Sequence, residues 1–180
     1  RTSAEDIGEI RSMTTRHPPA SPTRVRFGSR PSIAAGFVRR QGQDELVEAV
    51  FARAEPRTVL MGMRGSGKTQ LAAAVAARCE EEGWPLVAWI HAASRREILA
   101  GLYELALRIG IDAPKNIPLE VIVQRLLAQL RSVEAADRLF VVDHVANPDD
   151  LRDLIPQGAG VRDLLTTPTH FDSDARGCLR

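Results

Sequence analysis

Glycine, lysine and threonine stand at a chemically informative spacing in Gly62-Met63-Arg64-Gly65-Ser66-Gly67-Lys68-Thr69. This is the pattern G-x-x-x-x-G-K-[ST], whose chemistry is the holding of a phosphate chain. Its glycines let the backbone turn tightly and approach phosphate oxygens without side-chain clashes. Successive N–H groups can then point inward as an anion-binding nest. A helix opening near Lys68 adds its positive N-terminal end. Lys68 can reach the β- and γ-phosphates, and the Thr69 hydroxyl can ligate Mg²⁺. Residues 62–70, from Gly62 to Gln70, are therefore the candidate phosphate-binding segment. The bland alternative is a glycine-rich turn bearing a surface lysine.

A second candidate is the pair Asp143-His144. Asp143 follows the apolar run Leu139-Phe140-Val141-Val142, which reads as a buried strand. An acid at the C-terminal end of a parallel strand lies beside the crevice where open α/β sheets bind ligands. Its carboxylate can hold Mg²⁺ together with Thr69. His144 can orient or deprotonate an attacking water when its imidazole is neutral. Its alternative role is simply a polar strand end. Lys68, Asp143 and His144 are the candidate catalytic residues, and Thr69 and Asp143 the candidate metal ligands.

These residues need strands and helices to bring them together. Arg57 to Met61 is a short β-prone run leading into the glycine loop. The helix after the loop carries Leu71, Val75 and Cys79 at a spacing of four. Before it, a helix starting around Asp44 has Leu46, Val47, Val50, Phe51 and Ala54 as its stripe. Leu86 to Ile90 is a continuous apolar run of strand length. Ser94 and Glu97 form a capping box for a helix with Ile98, Leu99, Leu102, Leu105, Ala106 and Ile109 on one face. A further helix from about Leu119 presents Ile122, Val123, Leu126, Leu127 and Leu130. Asn147-Pro148 opens a short helix, and Val161 to Thr167 is a last, weaker strand. Alternating strands and helices imply a parallel sheet with helices on both faces.

The bulk composition is that of a globular chain. It has 180 residues, 44% hydrophobic and 26% charged, with net charge +1, which leaves no global basic field for nucleic acid. No apolar run is long enough for a membrane helix. The two cysteines, Cys79 and Cys178, are far apart, and a reduced, cytoplasmic setting is the plain expectation. Residues 14–34 hold four prolines and several arginines and read as a linker. The chain begins at Arg1 rather than Met and ends soon after a strand, so a C-terminally truncated fragment is expected. The domain scheme is a tail and linker over 1–35, a nucleotide-binding domain over 36–167, and an irregular tail over 168–180.

The run from Val59 to Ala72 resembles the phosphate loop of the NB-ARC family of STAND signalling ATPases. It is similar to bacterial, actinobacterial-type members that carry tetratricopeptide repeats. Leu86 to Ser94 resembles their next strand and turn, and Phe140 to Pro148 their Walker B segment. Phe37-Val38-Arg39-Arg40 resembles the element that packs on adenine. The resemblance implies a three-layer P-loop NTPase domain that exchanges ADP for ATP as a signalling switch for an attached effector or DNA-binding domain. Carried over by position, Val38 and Arg40 contact adenine, Gly62 to Thr69 hold the phosphates, and Thr69 and Asp143 hold Mg²⁺. The implied partners are C-terminal subdomains of the same protein and further copies on activation, with DNA reached only through an N-terminal domain.

Three positions depart from the family pattern. Arg39 stands where the family prefers glycine. His144 replaces a usual acid. Pro168 follows Thr166-Thr167, where the family has an arginine that senses the terminal phosphate. A slow ATPase, a module that holds nucleotide without turnover, and another P-loop ATPase or kinase thus remain open. With an inserted central strand, the expected sheet order is 86–91, 138–143, 161–167, 57–61. The phosphate-loop strand is then expected at the edge, and Asp163 to weaken the inserted strand from within.

Overall fold

The structure is a computed structural model that describes residues 24–35, 43–52, 56–132, 136–168 and 178–179. The elements, in order, are β1 (Val25–Phe27), α1 (Gln43–Phe51), β2 (Arg57–Met61), α2 (Lys68–Glu81), β3 (Leu86–His91), α3 (Arg95–Arg108), α4 (Leu119–Ser132), β4 (Arg138–Asp143), a 3₁₀ turn (Pro148–Leu151), β5 (Val161–Thr167) and β6 (Cys178–Leu179). The strands form one sheet in the order β1-β3-β4-β5-β2-β6. Every pairing is parallel.

Alternation along the central strands creates two cores. Leu139, Val141, Leu164, Val87 and Trp89 pack with Leu46 and Val50 of α1 and with Ala72, Val75 and Cys79 of α2. Their neighbours Phe140, Val142, Leu165, Ala88 and Ile90 pack on the other face with Ile98, Leu102 and Leu105 of α3 and with Ile122, Leu126 and Leu130 of α4. Side chains of successive strand residues point to opposite faces, so a run of consecutive apolar residues needs a helix layer on each side. The helix stripes read from the sequence are buried or partly buried here, and Ala54, the last residue of the α1 stripe, lies outside the described residues. Cys79 is fully buried, and burial pushes its thiol up to about 12.

The four central strands have the expected order, with β5 inserted between β4 and β2. Both edges differ from expectation. Val25–Phe27, read as part of a linker, pairs with Leu86, Val87 and Ala88. Arg26 secures it by donating from Nη1 to the Trp84 carbonyl at 2.9 Å. A three-residue strand among prolines and arginines carries too little periodicity to be seen, and an edge position tolerates such residues. At the other edge, Cys178 and Leu179 pair with Val59 and Leu60 of β2. The phosphate-loop strand is therefore partly covered rather than a bare edge. Two residues are too few to show an alternating pattern.

Asp163 lies in the middle of β5 and is buried. It faces its register partner Arg57, whose Nη2 lies 3.5 Å from Oδ2, while Oδ1 has no hydrogen-bond partner. Burial pushes its carboxyl up to about 7, against the opposing pull of Arg57 and Arg162. Among the described residues, no helix is long and apolar enough to cross a membrane.

Candidate functional site

The glycine loop connects β2 to α2, and its glycines sit where other residues would be strained. Gly62, Gly65 and Gly67 have φ of 151°, 80° and 87°. Gly67 is the N-cap of α2 and offers no side chain to its first-turn N–H groups, so an anion can take that role. Lys68 folds back across the loop. Its Nζ donates to the Gly62 carbonyl at 2.6 Å, the Met63 carbonyl at 2.9 Å and Ser66 Oγ at 3.3 Å. The ammonium thus lies within the turn that a phosphate would enter. Met63, Arg64 and Gly65 form the exposed crest, with Met63 83% exposed.

The parallel sheet brings the end of β4 to the start of α2. Thr69 Oγ1 donates to Asp143 Oδ1 at 3.0 Å. Thr166, at the end of β5, donates from Oγ1 to the same oxygen at 2.5 Å. The His144 N–H then donates to Thr166 Oγ1 at 3.0 Å. His144 Nδ1 lies 3.0 Å from the other carboxylate oxygen, Oδ2. The two oxygens of the buried Asp143 carboxylate therefore have different company, hydroxyls on one and an imidazole on the other.

The donor set fits Mg²⁺. An octahedral Mg²⁺ with bonds of about 2.0–2.1 Å places neighbouring oxygens about 2.9 Å apart. Thr69 Oγ1 and Asp143 Oδ1 already have nearly that separation. Both are oxygen donors, as Mg²⁺ requires.

A cleft of about 560 Å³ lies against these groups. Arg64, Gly65, Gly67, Lys68, Thr69 and Gln70 line one wall, and Ala93, His144, Ala146, Thr166, Thr167 and Pro168 the other. The structure thus brings the glycine loop, Asp143 and His144 into one place. Gln70 is there too, but its amide is engaged elsewhere. Its Oε1 accepts from the Ala34 N–H at 2.8 Å and its Nε2 donates to the Ser32 carbonyl at 3.3 Å. Gln70 therefore anchors the segment leading toward residue 36. Val38 and Arg40, the adenine candidates, lie outside the described residues, as does Arg39.

Sequence reasoning overlooked Thr166 as a partner of Asp143. The available signal was a threonine late in a strand that the expected sheet order sets beside Asp143's strand. It also overlooked His91, whose strand end is the register partner of Asp143.

No protein-family model and no curated protein sequence matches the chain. Among solved structures, it is similar to the Aeropyrum pernix ORC2 protein, determined as ADPNP–ADP complexes. The match has a TM-score of 0.53 and 21% sequence identity, and covers 78% of this chain. The chain spans 44% of that protein's length. The fold is that of a P-loop NTPase. In this P-loop NTPase fold the cleft lies at the C-terminal ends of the parallel strands, where the loops after β2, β4 and β5 converge.

Proposed function

We propose that this P-loop NTPase domain binds an adenine nucleotide with Mg²⁺ and serves as the nucleotide-dependent core of a switch. The observation that carries the reading is the meeting of Thr69 and Asp143 beside the glycine loop. Gly62 to Thr69 would cradle the phosphates, with Lys68 neutralising their charge. Thr69 and Asp143 would hold Mg²⁺, which when bound supplies charge neutralisation across neighbouring phosphate oxygens. The choice of adenine is supported by the ligands named for the ORC2 structure and by the resemblance of Phe37 to Arg40 to an adenine-packing element.

The finer reading is a STAND-type ADP/ATP switch of the NB-ARC kind, controlling an attached effector or DNA-binding domain. It rests on the resemblance across the phosphate loop and the Walker B segment. In this reading slow hydrolysis resets the switch. The reading without turnover is favoured by one specific feature: His144 is tied to Asp143 Oδ2 where the family carries a free acid.

Calorimetric titration with ADP, ATP and GDP tests the proposal. Tight ADP binding that requires Lys68, with weaker GDP binding, is the expected result. A preference for guanine nucleotides overturns the adenine assignment. Single-turnover hydrolysis then separates the slow ATPase from the module without turnover.

A further inference from the structure

A second donor set shares Asp143 with the Mg²⁺ candidates and adds two histidines that they do not use. His91 ends β3 and Asp143 ends β4, and the two are register partners across the parallel ladder. Register partners send their side chains to the same face of a sheet. His144 adds a third donor from an uncommon backbone conformation, with φ of 64°, rarely adopted by a residue other than glycine. Its N–H is held by Thr166 Oγ1 at 3.0 Å, and the turn aims its Nδ1 at Asp143 Oδ2. One ligand atom from each of His91, Asp143 and His144 falls within a group whose members all lie within 4.8 Å of one another.

We propose that His91, Asp143 and His144 form a binding site for a borderline divalent transition-metal ion of the Zn²⁺ or Co²⁺ class. Imidazole nitrogens suit these ions, whereas Mg²⁺ is held by oxygens. Tetrahedral coordination with bonds of about 2.0–2.1 Å sets ligand atoms about 3.4 Å apart. To reach that spacing the His144 Nδ1–Asp143 Oδ2 pair, now at 3.0 Å, would open slightly, and the remaining separations, within 4.8 Å, would adjust by rotation of the two exposed imidazoles. His144 is 65% exposed at its side chain, so it can move, while Asp143 at 1% provides a fixed anchor. Asp143 can serve through Oδ2, because its Oδ1 is the oxygen engaged by Thr69 and Thr166. Two imidazoles and one carboxylate leave a fourth position for water or another oxygen ligand, the arrangement of open zinc sites. The strained backbone of His144 has a role in this site, since it turns the imidazole back toward the carboxylate. The site does not depend on the cleft holding a nucleotide.

Cobalt titration of the nucleotide-free full chain tests this, read by visible absorption and by equilibrium dialysis. One Co²⁺ per chain is expected, displaced by Zn²⁺ but not by an equal concentration of Mg²⁺. His91→Ala and His144→Ala should each weaken binding by more than about tenfold, since loss of even an outer-shell partner has that effect. The double variant His17→Ala/His170→Ala, which removes the chain's other two histidines, should bind as the wild type does. Circular dichroism checks folding, and His91→Asn replaces the alanine variant if that one unfolds. Absence of Co²⁺ binding, binding indifferent to His91 and His144, loss in the His17/His170 variant, or displacement by equal Mg²⁺ each overturns the proposal. ADP calorimetry on the same preparation reads the nucleotide site separately.

Discussion

Thr69 and Asp143 are 74 residues apart in sequence, and their side chains meet at 3.0 Å. Neither residue is unusual alone. Their meeting depends on α2 starting directly from the glycine loop and on β4 ending beside it. With Thr166 on the same carboxylate oxygen, Asp143 is held by hydroxyls from two elements.

Lys68→Ala should weaken ADP and ATP binding at least about tenfold. A hydrogen bond to a charged group contributes about 1.5–3 kcal/mol, and this one would lie at the centre of the phosphate cradle. Isothermal titration of the two proteins checks this, and equal affinities would refute the phosphate-loop assignment.

Thr166→Val should destabilise the fold by about 1–3 kcal/mol, because it leaves a buried carboxylate oxygen with one hydroxyl fewer and removes the acceptor of the His144 N–H. Urea denaturation measures the change. A variant as stable as the wild type would show that the Thr166–Asp143 bond does not support the site.

Asp163 should make stability depend on pH. Its carboxyl is raised to about 7 in the fold, against an unfolded value of about 4. Between those values the folded state binds the additional proton, so stability falls as pH rises through this window and levels off above it. The full span is on the order of 4 kcal/mol. Denaturant midpoints at pH 5 and pH 8 should differ in the wild type and converge in Asp163→Asn. Greater stability at pH 8 than at pH 5, with the difference abolished in Asp163→Asn, would give this residue the opposite sign.

Mg²⁺ with ADP should stabilise the chain by mass action, by about 2.7 kcal/mol at a hundredfold excess over the dissociation constant. For a chain of this size that corresponds to a rise in melting temperature of roughly 5–10 °C. Thermal melts with and without ligand provide the reading. The Lys68→Ala protein should show little of the rise, and an equal rise in both proteins would place the ligand elsewhere.

By itself, the sequence determined the elements whose signals are local. The glycine loop is a set of backbone conformations that glycine permits. The strands 57–61, 86–91 and 138–143 announce themselves by apolar, β-prone runs and 161–167 more weakly, and their order follows from the inserted strand of a P-loop domain. The helix stripes of α3 and α4 repeat over several turns, so their buried faces were also legible. Tertiary structure alone decided contacts between strand ends. The convergence of Thr69 and Thr166 on one oxygen of Asp143 depends on register across three strands, which no local pattern encodes. The placing of His91 beside Asp143 is likewise a property of the β3–β4 ladder. The edge strands escaped for a related reason. Val25–Phe27 and Cys178–Leu179 are too short to have a period, and they pair because an adjacent strand offers open hydrogen-bonding groups. Asp163 could be recognised in sequence as a charge in a buried strand, but only the register with Arg57 supplied its counter-charge.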